Sequence, residues 1–150
     1  MRAARLVAAR FAAEAFTGEG AALNGGRWNP PGVAVVYVAD SIALAALEIL
    51  VHVDAAVLNA RYVSFELAIP ASLIEVFPSS FASLSNSSAA RTIGGRWVED
   101  LRSAALSVPS AVVPQERNIL LNPAHPDFAR ILIGEPELFS FDPRLLPLAS

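Results

Sequence analysis

The chain has 150 residues, a formal net charge of −3 and 54% hydrophobic residues. This length suits a single core, so we predict one domain over residues 1–150. The acidic balance argues against nucleic acid as a direct ligand, and the absence of cysteine and lysine excludes disulfides, thiolate nucleophiles and Schiff-base lysines. The two histidines, His52 and His125, lack metal-site spacing, so no metal is expected.

The amino-terminal sequence lacks the apolar core of a secretory signal. The longest apolar run, at residues 42–51, is too short to span a membrane and contains Glu48. We therefore expect a cytoplasmic protein without a membrane partner. Its high apolar content indicates that a partner protein or a second copy of the chain covers part of the surface, and the sequence leaves that choice open.

Hydrophobic periodicity predicts more strands than helices. In chain order, strands are expected at residues 5–7, 33–39, 61–70, 106–114 and 118–122, with a final pair between 131 and 141. Alternating apolar and polar residues at 61–70 are typical of a half-buried strand, while prolines at both ends of 106–114 favour an edge strand or a bulge. Because the strands follow one another too closely for an all-parallel sheet, we predict an α+β fold.

Two longer helices are predicted between these strands. The first begins after an N-cap at Asp40 or Ser41 and runs to about Val53; because it is apolar nearly all round, we expect it to be central. The second begins near Arg96, after a long surface loop at residues 79–90. The remaining connections are a helical or irregular segment after the first strand, a loop at 17–24, and a turn with a helical piece at 123–130.

Residues 25–32 read Gly-Gly-Arg-Trp-Asn-Pro-Pro-Gly, in which glycines and prolines define a tight connection. The Arg27 guanidinium, held there by packing, would suit a pyrophosphate; alternatively it pairs with a nearby acid in a purely structural turn. Gly-Gly-Arg-Trp recurs at residues 94–97. The flanking sequences share no period, so no internal repeat is predicted.

Glu48 is a carboxylate inside an otherwise apolar helix, where it must be paired, face a cleft or change its pKa. Such a position is typical of a working site. The alternative is a structural ion pair with His52, which follows at i+4 on the same helix face. We interpret His52 as a partner of Glu48 or a core residue and not as a catalyst.

Three further polar residues are candidates for ligand contacts. Tyr37 lies in a predicted buried strand, where its hydroxyl faces a cavity or is satisfied by the backbone. Ser110 lies between Pro109 and Ala111 without a nucleophile motif, so it is a contact candidate and not a nucleophile. Asn118 either contacts a ligand or satisfies the backbone at the start of a strand.

These candidates include arginines but only one glutamate singled out for chemistry. Ordinary glycoside hydrolysis uses two carboxyl groups, one of which protonates the leaving group. Nicotinamide leaves NAD as a neutral molecule, so one carboxylate that stabilises an oxocarbenium ion is sufficient. Arginine for the pyrophosphate, an aromatic ring for nicotinamide and a glutamate for the ribose would therefore suit NAD cleavage.

An ordered series of motifs resembles the RES domain family over nearly the whole chain. The series comprises residues 5–7, 15–21, 25–29, 36–39, 44–52, 108–114, 118–125 and 141–145. The resemblance implies an ADP-ribosyltransferase-like fold, expected here as two small mixed or antiparallel sheets around an NAD cleft with flanking helices. It also implies the toxin of a bacterial type II toxin–antitoxin module that consumes NAD as substrate, with an Xre-like helical antitoxin as partner and, for phosphorolysis, inorganic phosphate.

By the same resemblance, the family's functional residues fall on Arg27, Tyr37, Glu48 and Ser110, and an earlier arginine falls on Arg5. The implied roles are phosphate binding by Arg27 and Arg5, a position beside the nicotinamide ribose for Tyr37, stabilisation of the transition state by Glu48, and substrate orientation by Ser110. Two alternatives stay open: a mono-ADP-ribosyltransferase that modifies a protein, and a non-catalytic relic that still binds a partner.

Overall fold

The structure is a computed structural model that describes residues 1–52, 60–78 and 87–145. Within these ranges lie eight strands and three α-helices. The strands are β1 (Arg2–Ala8), β2 (Val36–Ala39), β3 (Tyr62–Ala68), β4 (Ile74–Val76), β5 (Ala105–Pro109), β6 (Arg117–Leu121), β7 (Leu132–Ile133) and β8 (Glu137–Phe139). The helices are α1 (Glu19–Asn24), α2 (Ile42–Leu50) and α3 (Ser87–Glu99). Short 3-10 segments lie at Ala9–Glu14, Ala71–Leu73, Pro126–Arg130 and Pro143–Leu145.

The described strands form one mixed sheet in the order β4-β5-β6-β2-β1-β3-β7, with β8 also paired to β3. β4 and β5 are parallel, and the other pairs are antiparallel. We expected two small sheets, but β2 joins the two halves into one sheet. The α+β class is therefore confirmed, and the two-sheet arrangement is not. The join is narrow, because β1 and β2 share the single residue pair Ala4↔Ala39, whereas β1 and β3 are paired over seven residues.

Side chains alternate between the two faces of the sheet, as strand geometry requires. On one face, a core cluster includes Val36, Val38, Phe65 and Ile119. On the other face, one cluster lies under α3 and another under α2. The region between these two clusters is where β1 and β2 diverge.

The predicted strand at 61–70 and the N-cap of α2 are confirmed. The Ser41 hydroxyl accepts a hydrogen bond from the backbone N–H of Leu44, and the helix ends at Leu50. Val53, the predicted end, lies outside the described residues. The central position expected for α2 is only half correct: Leu44, Ala45 and Ala46 are buried, but Leu47 is exposed.

Several predicted boundaries were wrong for local reasons. Residues 17–24 were predicted as a loop, but α1 begins after Gly18, which has φ of +76°. The strand predicted from residue 33 begins at Val36, because the Val33 carbonyl accepts a hydrogen bond from a side chain outside the sheet. β4 was not predicted; its three residues are too few for a recognisable alternation.

The carboxy-terminal half also departs from prediction at α3 and β5. The helix begins at Ser87 and not near Arg96, so the predicted loop at 79–90 becomes helical at its end, and its residues 79–86 lie outside the described ranges. β5 is an inner strand and not an edge strand. Pro109 is tolerated there because it ends β5 beyond the three residues that pair with β4. The final pair of strands is confirmed as β7 and β8. Among the described residues, no helix combines the length and apolarity required to cross a bilayer.

Candidate active site

A cavity of about 580 Å³ opens where β1 and β2 diverge. Its wall contains five of the six predicted site residues, drawn from five separate parts of the chain: Arg5, Arg27, Tyr37, Glu48 and Asn118. Ser110 does not line the cavity but lies directly behind Glu48. The fold therefore brings all six predicted residues together around one cleft.

Glu48 presents its carboxylate to the cavity from α2 and is half-buried. Its Oε1 atom accepts a hydrogen bond of 2.7 Å from the Ser110 hydroxyl. Ser110 is fully buried, and its oxygen also accepts hydrogen bonds from the backbone N–H groups of Val112 and Val113, at 3.1 and 3.0 Å. These three bonds fix the hydroxyl against the carboxylate, and the predicted role of Ser110 in orienting the substrate stays a prediction.

The alternative ion pair between Glu48 and His52 is absent from the described residues. His52 lies two residues beyond the end of α2, is exposed and lines the cavity wall. The prediction that it is a core residue or a partner of Glu48 was therefore wrong, because the helix ends before the i+4 contact forms.

Arg5 bridges the gap between β1 and β2. Its Nε donates to the Ala15 carbonyl and its Nη1 donates to the Tyr37 carbonyl, both at 2.7 Å. Burial lowers the pKa of Arg5 to about 10. One of these bonds joins β1 to β2 and the other joins β1 to the segment before α1, and among the described residues the other N–H groups of the guanidinium form no hydrogen bond.

The Tyr37 hydroxyl is fully engaged with the loop that carries Arg27. It donates to the Asn29 Oδ1 atom at 2.7 Å and accepts from the Trp28 backbone N–H at 3.0 Å. Burial raises the pKa of Tyr37 to about 12, although the Trp28 hydrogen bond and the positive charge of Arg91 oppose that increase. The phenol is therefore neutral at physiological pH and presents its ring to the cavity.

Asn118, in β6 of the sheet, also lines the cavity. Within residues 1–52, 60–78 and 87–145, its side-chain amide has no hydrogen-bond partner. An amide facing a cavity without a protein partner is suited to a ligand contact.

Sequence reasoning missed three residues that hold the Arg27 loop. Asn29 is fully buried at its centre, and an asparagine beside proline in a tight turn is a recognisable signal for backbone bonding. Arg91, on α3, donates from Nε to the Gly26 carbonyl at 3.1 Å, and nothing in the local pattern predicts that contact. Gly94 lies against the Trp28 carbonyl, and a Cβ at Gly94 would lie 1.7 Å from that carbonyl oxygen. The second Gly-Gly-Arg-Trp motif, in α3, therefore packs against the first one but has a different structure.

The cavity thus combines two guanidinium groups, one oriented carboxylate, a neutral phenol ring and the Asn118 amide. Cationic groups on one side suit an anionic ligand, and a carboxylate fixed by a charge-assisted hydrogen bond suits the stabilisation of developing positive charge. The described residues contain no group of three or more side chains of the types that bind metals.

Comparison with known proteins identifies relatives over nearly the whole chain. Toxin Res of Yersinia enterocolitica serotype O:8 / biotype 1B is 40% identical over 147 residues, which cover 94% of this chain and 97% of that protein. The Prs ADP-ribosylating toxin of Sphingobium sp. strain YBL2 is 36% identical over 144 residues, which cover 91% of this chain and 89% of that protein.

Among solved structures, a chain of the M. tuberculosis MbcT–MbcA toxin–antitoxin complex matches with a TM-score of 0.71. The match covers 93% of this chain and 84% of that chain at 21% identity, so it establishes a shared fold. The sequence-family model named RES domain matches residues 2–142 of this chain. The chain therefore belongs to the RES domain family.

Proposed function

We propose that this protein is the toxin of a bacterial toxin–antitoxin module and cleaves the bond between nicotinamide and ribose in NAD, by hydrolysis or phosphorolysis. The observation that carries this proposal is the Glu48 carboxylate, held by the Ser110 hydroxyl at 2.7 Å on the wall of a cavity that also contains Arg27. Membership of the RES domain family and relatives named as toxins support it.

The proposed reaction needs one ionised carboxylate at the ribose. As the bond from C1″ to the nicotinamide nitrogen breaks, its electron pair leaves with neutral nicotinamide and positive charge develops on the ribose. Glu48 stabilises that charge from a fixed position, so little reorganisation accompanies the step. Water, which releases a proton to solvent, or phosphate then adds to C1″, giving ADP-ribose or its 1″-phosphate ester.

The remaining cavity residues bind and orient the dinucleotide. Arg27 forms charge-assisted hydrogen bonds with the pyrophosphate, supported by the N–H groups of Arg5 that do not bond to Ala15 or Tyr37. The Tyr37 ring packs beside the nicotinamide ribose, and the Asn118 amide contacts ligand hydroxyl or carbonyl groups. We also propose that the fold is ADP-ribosyltransferase-like, as the resemblance to the RES domain family implies.

The direct test is release of nicotinamide from NAD by the purified protein, followed by proton NMR with and without inorganic phosphate. Glu48→Gln keeps the volume and removes the charge, and should lower turnover by about two to three orders of magnitude. Glu66→Gln is the matched control, because Glu66 is exposed on β3 and does not line the cavity. Wild-type turnover by Glu48→Gln would eliminate the mechanism, and a requirement for phosphate would identify phosphorolysis.

A second candidate is mono-ADP-ribosylation of a protein. The 36% identity to the Prs ADP-ribosylating toxin favours it, because the same cavity would serve a protein nucleophile in place of water. Transfer of label from adenylate-labelled NAD onto protein would distinguish it from release of free ADP-ribose. A folded sample that binds no NAD by calorimetry would instead favour a non-catalytic relic.

The proposed partner is an Xre-like helical antitoxin in the cytoplasm. The structural similarity to a chain of the MbcT–MbcA toxin–antitoxin complex supports an antitoxin partner. Co-purification of toxin with a co-expressed antitoxin candidate, and loss of nicotinamide release in that complex, would support the assignment. The mass of the isolated toxin would show whether the protein also forms a homodimer.

A further inference from the structure

Arg27 lies at the tip of a closed turn. The Gly26 backbone N–H donates to the Asn29 carbonyl at 2.9 Å, so Arg27 and Trp28 are the two residues enclosed. The Trp28 side chain is 2% exposed and packs edge-on against Phe77, with ring centroids 5.4 Å apart. The turn therefore has one side anchored in the core and the other, Arg27, directed to the cavity.

The Asn29 side chain connects this turn to its surroundings. It is fully buried, and its Nδ2 atom donates to the carbonyls of Ala21 at 3.0 Å, Val33 at 2.9 Å and Pro30 at 3.3 Å. Its Oδ1 atom accepts from the Tyr37 hydroxyl. One amide thus joins α1, the turn, the segment before β2 and β2 itself, and a carboxylate could not replace it because it lacks the donated hydrogens.

At Gly26 the turn is packed tightly against this amide. A Cβ at Gly26 would lie 2.7 Å from both Asn29 Oδ1 and the Tyr37 hydroxyl. Displacement of the Asn29 side chain would therefore be transmitted directly to the backbone beside Arg27.

We propose that Asn29 is a positioning residue that sets the orientation of the Arg27 guanidinium, and that the Tyr37 hydroxyl acts through Asn29 and Trp28 and not on the ligand. This inference deepens the proposed function and rests on it for the identity of the ligand. Its geometric content, a held Arg27 side chain, can be measured without any ligand.

The first measurement is the NMR order parameter of the Arg27 Nε–H group in the ligand-free protein. It should lie near the rigid range, about 0.8, in wild type and fall below about 0.6 in Asn29→Ala. Tyr37→Phe keeps the ring and removes one hydrogen bond each from Asn29 and Trp28, so it should lower the order parameter in the same direction and serves if Asn29→Ala fails to fold. Unchanged order parameters in folded variants would overturn the proposal.

The second measurement is a double-mutant cycle on NAD turnover. Asn29→Ala should raise KM about tenfold with kcat nearly retained, and should add less than about twofold in an Arg27→Ala background. If Asn29→Ala does not fold, Tyr37→Phe takes its place in the same cycle. An equal effect in both backgrounds would mean that the residue acts independently of Arg27 and would overturn the proposal.

Asn122→Ala is the matched control, because Asn122 is also fully buried and hydrogen-bonded to backbone but does not line the cavity. It should destabilise the protein and leave KM unchanged; a similar increase in KM would attribute the Asn29 effect to general destabilisation. If wild type releases no nicotinamide, the proposed function fails, while the order parameter still decides whether Asn29 holds Arg27.

Discussion

Replacing Ser110 with alanine removes the hydroxyl that fixes the Glu48 carboxylate. A hydrogen bond to a charged group contributes about 1.5–3 kcal/mol, and the half-buried position of Glu48 favours the lower value. The N–H groups of Val112 and Val113 also lose their acceptor, at a cost of about 1 kcal/mol together because both residues are partly reached by water. We expect the free energy of unfolding to fall by about 2–3 kcal/mol, which leaves a typical domain folded.

The same change should reduce turnover through Glu48. If the lost orientation removes about 1.5 kcal/mol of transition-state stabilisation, kcat falls roughly tenfold. The assay pairs urea denaturation with nicotinamide release for each variant.

Ser107→Ala is the matched control for this change. Ser107 is also buried on the β5 segment, and its hydroxyl accepts a hydrogen bond of 3.0 Å from Arg117 Nε, but it does not line the cavity. Ser107→Ala should lower stability without changing kcat. If the two variants lose equal turnover at equal stability, or if Ser110→Ala retains wild-type kcat, the reasoning that Ser110 orients Glu48 is refuted.

Three further predictions concern the scaffold of the site. Gly94→Ala should lower the free energy of unfolding by about 3 kcal/mol or prevent folding, because its Cβ would lie 1.7 Å from the Trp28 carbonyl oxygen. Gly20→Ala is the control: its Cβ has open space in α1, so the change should be neutral or slightly stabilising. Thermal denaturation compares the two variants. Arg5→Ala should lower the free energy of unfolding by about 2–4 kcal/mol, since two backbone carbonyls lose a charged donor, and urea denaturation measures this; a loss below that range would mean that solvent replaces both bonds. Tyr37 should ionise near pH 12 in the folded protein, against 10.0 in the unfolded chain, so its contribution to stability is present below pH 10 and is lost as pH rises through about 12. Tyrosinate absorbance, with the other tyrosine replaced by phenylalanine, checks this value, and ionisation near pH 10 in the native state would contradict it.

Elements with strong local signals were predictable. The alternation in β3 places Val63, Phe65 and Leu67 on one buried face, and Ser41 caps α2 as its side-chain chemistry suggests. Elements without such signals were not. α1 is short and follows glycine, and α3 begins among serines and alanines that resemble a loop until Trp97 packs against the sheet.

The candidate site was predictable in residue type but not in arrangement. A lone carboxylate in an apolar helix identified Glu48, and an arginine between glycine and tryptophan identified Arg27. Periodicity contains no information on which distant residue would pair with Glu48. The sequence therefore suggested His52, four residues away, whereas the structure pairs Glu48 with Ser110, 62 residues away.

By itself, the sequence predicted the α+β class, most strand positions, the family and a set of candidate site residues, because side-chain spacing and local motifs encode these directly. The tertiary structure decided that the strands form one sheet, that the cavity opens where β1 and β2 share a single residue pair, and that Asn29 joins four segments around Arg27. These features depend on strand order and on hydrogen bonds between distant residues, which form only when the whole chain has packed.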